Sequence, residues 1–228
     1  MLLLLFLGAC GGDADDRVLF VGNSYTHSND MPEMVATITD AHGTSIEWTM
    51  IAPGGAFLDQ HATDPAVVAA LQSGDHDIVV FQEQSVITSV PDMAASRTIP
   101  AARTLDALAD AAGVRVLWFQ TWGHLDGFPD VGHTSYTAMQ DQVSATYDQI
   151  GDATDAPVVR VGDTWRQVQA RGTGIGLYAP DGSHPSPAGS YVAALRIAEA
   201  ILGQAPSEAP DVAGVSDEQA TTLLAALG

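Results

Sequence analysis

The stretch Asp77-Ile-Val-Val-Phe81, followed directly by Gln82-Glu-Gln84-Ser85, decides the fold class. From Ile78 to Phe81 it is apolar and β-branched at its centre, which is typical of a strand buried on both faces in a helix-covered parallel sheet. Further runs of strand length occur at 17–21, 45–51, 114–119 and 157–161, and they alternate with helical patterns at 31–41, 67–71, 94–112, 136–150 and 187–202. This alternation predicts right-handed βαβ units, and therefore an α/β domain with three layers, α/β/α, around a five-stranded parallel sheet.

Length and charge limit the number of domains and the classes of partner. The chain has 228 residues, enough for one well-buried domain. Its formal charge is −20, from 28 acidic and 8 basic residues, so a nucleic-acid partner, which needs clustered cations, is excluded by default. We expect the folded domain over 17–203. A Pro/Ala-rich connection and a short terminal helix, begun by the capping-box pattern Ser216-Asp-Glu-Gln219, should occupy 204–228.

The N-terminal segment carries a separate signal. Met1-Leu-Leu-Leu-Leu-Phe-Leu7-Gly-Ala-Cys10 is an apolar run, too short to span a membrane, that ends in small residues and the only cysteine of the chain. It resembles the end of a bacterial lipoprotein signal peptide, although no Lys or Arg precedes it; a misplaced start codon would explain that departure. The resemblance implies that 1–16 are signal and tether, and that the mature protein is exported. It would then be anchored in the cell envelope by lipid on Cys10, its only contact with the membrane.

Polar and glycine-rich residues follow each predicted strand. In open parallel sheets, ligands bind outside the carboxyl ends of the strands, so these residues are the ones expected to form a site. They lie at 22–24, 53–55, 82–85 and 120–124, together with the loop 181–184 before the last strong helix. The set predicts a polar site at this edge of the sheet.

Three of these residues have the chemistry of a nucleophile, a base and an orienting acid. Ser24 follows the first strand, and His184 is the base that would accept its proton, with Asp181 holding the imidazole. The backbone amides of Ser24 and Gly55 and a side-chain amide of Gln84 are the candidate donors to an oxyanion. Such chemistry needs neither a metal nor a cofactor. Taken alone, Ser24 is better explained as a helix N-cap and Gly55 as a turn glycine, so the assignment depends on the whole set of residues.

The ordered motifs are similar to those of the SGNH (GDSL-type) hydrolase superfamily over roughly residues 17–203. Gly22-Asn-Ser24 stands for the first block, Gly54-Gly55 for the second and Asp181-Gly-Ser-His184 for the last. Gln82-Glu-Gln84-Ser85 stands where most members have Gly-x-Asn-Asp, so a Gln replaces the oxyanion Asn. Either Gln82 or Gln84 could take that role, and counting from the strand end favours Gln84. The resemblance implies a flavodoxin-like fold.

The resemblance also implies an activity. We expect a serine hydrolase that cleaves carboxylic esters of small molecules or carbohydrates through an acyl-serine intermediate, with sugar O-acetyl groups as the first class to test. The same machinery could serve an O-acyltransferase, and a non-catalytic carbohydrate- or partner-binding lipoprotein on a degenerate hydrolase fold is the alternative from another class. Trp122, His124 and Tyr178 are candidates for an aromatic substrate platform, with Trp122 favoured, whereas Trp118 is expected in the core.

Overall fold

The predicted strands form one parallel sheet with the order β2-β1-β3-β4-β5. The computed structural model describes residues 14–227, so residues 1–13 of the predicted signal and tether segment, Cys10 among them, lie outside the described residues. The strands are β1 Asp16–Val21, β2 Ile46–Ile51, β3 Ile78–Gln82, β4 Arg115–Phe119 and β5 Val158–Val159. Helices cover both faces of the sheet, which confirms the three-layer α/β/α prediction.

The helices follow the predicted alternation, with additional short turns at the strand ends. Within residues 14–227 they are α1 Ser24–His27, α2 Met31–Ala41, α3 Leu58–His61, α4 Pro65–Gln72, α5 Ser85–Thr88, α6 Pro91–Met93, α7 Ile99–Ala112, α8 Tyr136–Thr154, α9 Val161–Ala170, α10 Pro187–Leu202 and α11 Asp217–Ala225. A π-helical turn, Ala94–Thr98, precedes α7. No helix in this part of the chain is both long and apolar enough to cross a membrane.

The two faces of the sheet carry separate cores because alternate side chains of a strand point to opposite sides. Val18 and Phe20 of β1 pack with α2, α9, α10 and α11, whereas Leu19 and Val21 pack with α4, α7 and α8. The predicted capping box is present at α11, where the Gln219 N–H donates to Ser216 Oγ at 3.3 Å and the Ser216 N–H to Gln219 Oε1 at 3.1 Å.

The prediction of a strand over 157–161 was wrong in its extent. β5 stops at Val159, and Val161 begins α9. Val161, Trp165 and Val168 are fully buried at helical spacing, so this apolar pattern belongs to the helix. The first turn of α9 lies against the segment that follows β4: a Cβ on Gly162 would clash with the Thr121 carbonyl oxygen, which only glycine avoids.

Candidate active site

The register of the sheet brings the predicted site residues to one place. Val21 of β1 pairs with Ile51 of β2 on one side and with Phe81 of β3 on the other. Ser24 lies three residues beyond Val21. Because β1 lies between β2 and β3, the segments that follow β2 and β3 flank Ser24 on its two sides. The loop that contains Gly55 follows β2 on one side, and Gln84, three residues beyond Phe81, follows β3 on the other.

Ser24 begins helix α1 directly after a tight turn. Asn23 is the N-cap of this helix, since its Oδ1 accepts the Tyr25 N–H at 3.1 Å, so the structure gives the capping role to Asn23 and not to Ser24. The Asn23 side chain also donates to the Ala56 carbonyl at 3.0 Å, which ties the turn to the loop after β2. A Cβ on Gly22 would come 2.3 Å from Thr26 Oγ1, so the turn requires glycine there. The Ser24 N–H is a first-turn amide with no intrahelical acceptor.

Ser24, His184 and Asp181 are in hydrogen-bond contact. His184 Nε2 lies 2.9 Å from Ser24 Oγ, and His184 Nδ1 lies 2.6 Å from Asp181 Oδ2. The other carboxylate oxygen of Asp181 accepts the Ser183 and His184 backbone N–H groups, each at 2.9 Å. These hydrogen bonds, with that of Ser183 foremost, lower the pKa of Asp181 to about 2. Asp181 is therefore an anion near neutral pH, and its charge favours a proton on the Nδ1 that faces it.

The serine and histidine segments are tied together by an asparagine side chain. Asn29 Nδ2 donates to the Pro185 carbonyl at 3.1 Å and to Ser190 Oγ at 2.9 Å, across 156 and 161 positions of sequence. Asn29 adopts a left-handed backbone conformation with φ +57°, which asparagine tolerates better than most residues. On the other side of α1, His27 Nδ1 donates to the Ala52 carbonyl at 2.8 Å. The nucleophile segment is thus held on both flanks.

Gly55 and Gln84, the other predicted oxyanion donors, lie in the segments that follow β2 and β3, the two neighbours of β1 in the sheet. Gly55 is exposed and has φ +73°, so glycine is favoured there by the backbone conformation; a Cβ at this position would meet no protein atom within 4 Å. Gln84 caps α5, since its Oε1 accepts the Ile87 N–H at 3.0 Å. Because the Ile87 N–H can only donate, this hydrogen bond fixes which end of the Gln84 side-chain amide is the oxygen. The NH₂ group of Gln84 has no acceptor among residues 14–227.

Gln82 differs from Gln84 in that its side-chain amide makes hydrogen bonds within the protein at both ends. Gln82 is fully buried, and its Oε1 accepts both the Asn23 N–H and the Thr26 hydroxyl at 2.9 Å. Its NH₂ group donates to the Glu83 carbonyl at 2.6 Å. Both ends of the side chain make hydrogen bonds inside the protein and the side chain is fully buried, so Gln82 supports the turn that contains Ser24 and its amide does not face solvent.

A solved structure from Slackia heliotrinireducens, described as an SGNH hydrolase, is 31% identical to this chain. The likeness covers 82% of this chain and 98% of that one, with a TM-score of 0.69. The chain belongs to the SGNH hydrolase superfamily. The superfamily and the fold inferred from the sequence are therefore confirmed, and the protein is a hydrolase.

Other solved structures share the SGNH fold at lower identity. A DUF4886 family protein from Bacteroides uniformis is 16% identical, with 92% of each chain covered and a TM-score of 0.74. An acetylxylan esterase from Geobacillus stearothermophilus is also 16% identical, over 81% of this chain and 93% of that one, with a TM-score of 0.60. No protein-family model matches the chain, and no match is found among curated proteins.

A chain of hydroxyl groups behind the triad of this SGNH hydrolase was missed by the sequence analysis. Ser85 Oγ donates to the Tyr25 hydroxyl at 3.3 Å, that hydroxyl lies 2.5 Å from Ser183 Oγ, and Ser183 Oγ lies 3.0 Å from His124 Nε2. If each hydroxyl donates once, the chain ends on a neutral His124 as acceptor. Burial lowers the pKa of His124, which favours that neutral form. The sequence signal was position alone: Tyr25 follows Ser24, and Ser183 precedes His184.

The prediction that Trp122 lines the substrate site was wrong. Trp122 is fully buried, stacked between Tyr25 at 4.7 Å and Trp165 at 3.8 Å between ring centroids. Its indole N–H donates to the Ser183 carbonyl at 3.0 Å, so it supports the histidine loop from inside. Trp118 is in the core as predicted, also fully buried.

Proposed function

We propose that this SGNH hydrolase cleaves carboxylic esters through an acyl intermediate on Ser24. The observation that carries the proposal is the continuous contact from Ser24 Oγ through the imidazole of His184 to the carboxylate of Asp181, at 2.9 and 2.6 Å. A serine hydroxyl is a weak nucleophile until a neighbouring base accepts its proton, and this arrangement supplies the base and its orienting anion.

The two half-reactions use the same groups in turn. Ser24 Oγ attacks the ester carbonyl while His184 Nε2 takes its proton, and the Ser24 N–H, the Gly55 N–H and the Gln84 NH₂ group donate to the oxyanion. His184 then returns the proton to the alcohol oxygen as its bond to the acyl carbon breaks, which leaves an acyl-Ser24 ester. Water, deprotonated by the same imidazole, hydrolyses that ester and restores Ser24. The Asp181 carboxylate stabilises the imidazolium in both halves.

Short acyl groups on a larger alcohol, above all O-acetyl groups on carbohydrate, are the substrate class we propose. The triad lies at an open surface, since the side chains of His184 and Asp181 are 42% and 51% exposed. Such a surface accommodates an ester that projects from a bulky molecule. The fold is shared with a protein described as an acetylxylan esterase, which supports testing the same chemistry here.

The proposal predicts a short-chain esterase with one reactive serine. We expect the rate on aryl esters to fall from acetate to octanoate, and a fluorophosphonate probe to add one adduct at Ser24, as read by peptide mass. Ser28→Ala is the matched control, because its partly exposed side chain makes no hydrogen bond within residues 14–227, and it should label and turn over like the wild type. Absence of labelling at any pH would favour the non-catalytic binder, and a preference for octanoate would contradict the substrate class.

We also propose that lipid on Cys10 anchors the mature protein in the bacterial cell envelope. The lipoprotein-like run before this only cysteine supports it. Cys10→Ser should move the protein from the membrane fraction to the soluble fraction with kcat unchanged, because the described fold begins later, with β1 at Asp16. Several acyl chains on one cysteine anchor firmly, whereas a single chain binds membranes marginally. Intact mass of the membrane fraction measures the modification; an unmodified cytoplasmic protein that keeps Met1 would refute the anchor.

A further inference from the structure

Glu83 is a buried acid that the proposed reaction does not use. It lies between Gln82 and Gln84 at the carboxyl end of the sheet, and its solvent exposure is 0%. Burial of a carboxyl group is unfavourable unless hydrogen bonds compensate for the lost water. The partners of its two oxygens therefore indicate why an acid is present in this position.

One carboxyl oxygen of Glu83 joins the two segments that flank Ser24. Glu83 Oε1 accepts the Gln84 N–H at 2.8 Å and the Leu58 N–H at 3.1 Å. Leu58 begins α3, three residues after Gly55, so this contact holds the end of the Gly55 loop. Glu83 Oε2 accepts the hydroxyl of the buried Thr98 at 3.0 Å, a contact that involves neither of the two segments that flank Ser24.

We propose that Glu83 is a positioning residue for the oxyanion donors: its carboxyl group sets the separation of the Gly55 loop from Gln84 across the reacting Ser24. The inference rests on the proposed function, because it assigns donor roles to Gly55 and Gln84. Oxyanion donors act only if they are already in place when charge develops, and a displacement of about 1 Å reduces the rate by about 10²-fold. A residue that fixes both donor segments should therefore affect kcat more than KM.

The pair of hydrogen bonds from the Leu58 and Gln84 amides to Glu83 Oε1, called the clamp below, is compatible with either protonation state of Glu83. Burial raises the pKa of Glu83 to about 7, and the Asp59 carboxylate on α3 adds to the effect. Asp59 is itself paired with Arg97 of the π-helical turn at 2.6 Å, and on α8 the Tyr147 hydroxyl accepts the Glu83 N–H at 3.2 Å. In the acid form a proton on Oε2 can be donated to Thr98, while Oε1 still accepts both amides. A glutamine at this position can reproduce that neutral arrangement.

Three substitutions test the clamp. E83A removes the acceptor, and we expect kcat for an aryl acetate to fall by about 10- to 100-fold with KM within about twofold. E83Q keeps an acceptor oxygen and should retain at least about half of wild-type kcat. Thr98→Val, the matched control, removes only the contact to Oε2 and should behave like E83Q. Exchange of the Leu58 and Gln84 amide protons, followed by NMR, should accelerate at least about tenfold in E83A alone, because only there is their acceptor lost.

A pH series tests separately whether the buried Glu83 carboxyl group is protonated in the folded protein. The folded state of the wild type holds the Glu83 proton up to about pH 7, whereas the unfolded chain releases it near pH 4.5. The free energy of unfolding of the wild type therefore falls as pH rises through this window. E83Q has no carboxyl group at this position and lacks this contribution to the pH dependence. The excess in Tm of E83Q over the wild type should increase from pH 5 to pH 8.

The outcomes separate the clamp from the proposed function. Wild-type exchange rates at both amides in E83A would overturn the clamp, whatever the activity. Faster exchange with unchanged kcat, or a loss confined to KM, would overturn the positioning role, and so would an E83Q variant as impaired as E83A. If wild-type turnover does not depend on Ser24, the proposed function fails; the two exchange rates then still support or overturn the clamp by themselves.

Discussion

We expect Ser24→Ala to reduce ester hydrolysis by about 10⁴- to 10⁶-fold, and both His184→Ala and the double variant to fall to the same residual rate. The reason is geometric. Without Ser24 Oγ no acyl-enzyme forms, and without His184 Nε2, which lies 2.9 Å from that oxygen, the hydroxyl keeps its proton. A nucleophile and its base act as one unit, so once either is removed, removing the other causes no further loss of rate. The measurement is kcat/KM on an aryl acetate, with the double variant in the same series.

The same series separates chemistry from folding. Ser24 is partly exposed and its Oγ makes a hydrogen bond only with His184 among residues 14–227, so Tm should change by little in Ser24→Ala. Asp181→Asn leaves a neutral partner at Nδ1 and should also be damaging, although the orienting acid can contribute less than the base. Losses that multiply in the double variant would contradict the triad, as would a Ser24→Ala variant that retains wild-type turnover.

Much of this site could be predicted because a parallel sheet collects local signals at one edge. The apolar runs before Gly22 and Gln82 define strand ends, and parallel strands bring their carboxyl ends together. This argument places Ser24 beside the segments that follow β2 and β3. The Asp181–His184 loop follows α9 and not a strand, so its pairing with Ser24 was predicted from the chemistry of a triad and from the family resemblance. The distances of 2.9 and 2.6 Å are what the structure adds.

Side-chain direction and long-range pairing could not be predicted in the same way. Gln82 and Gln84 have the same chemistry two positions apart, and only the structure shows that the amide of Gln82 is used within the protein. The Asn29–Pro185 contact joins positions that no local pattern relates. Trp122 follows a strand as a site residue would, but it packs against Trp165 of α9, a helix that the sequence analysis had assigned in part to the fifth strand.

Gln84→Ala should lower kcat by about 10²- to 10³-fold with KM little changed, the effect of removing one oxyanion donor worth about 3–4 kcal/mol in the transition state. The Ala variant also loses the cap of α5, where Gln84 Oε1 accepts the Ile87 N–H at 3.0 Å, at a cost of about 0.5–2 kcal/mol in stability. Gln84→Glu separates the two roles. It keeps an acceptor for Ile87, so Tm should stay near that of the wild type, but it replaces the donor with an anion beside the developing oxyanion. Its kcat should therefore be at least as low as that of the Ala variant.

Gln82→Ala should mainly lower stability, whereas the Gln84 variants should mainly lower kcat. Comparing the two positions decides which glutamine is the oxyanion donor. This substitution leaves the buried Asn23 N–H and the Thr26 hydroxyl without their acceptor, and each unsatisfied group costs about 1–3 kcal/mol of folding free energy. We expect a clear fall in Tm, with activity lost through the displaced nucleophile turn. Thermal unfolding and steady-state kinetics on the three glutamine variants make the measurement. If Gln82→Ala keeps the wild-type Tm and loses kcat, while Gln84→Glu remains active, the oxyanion donor is Gln82 and the assignment is off by two positions.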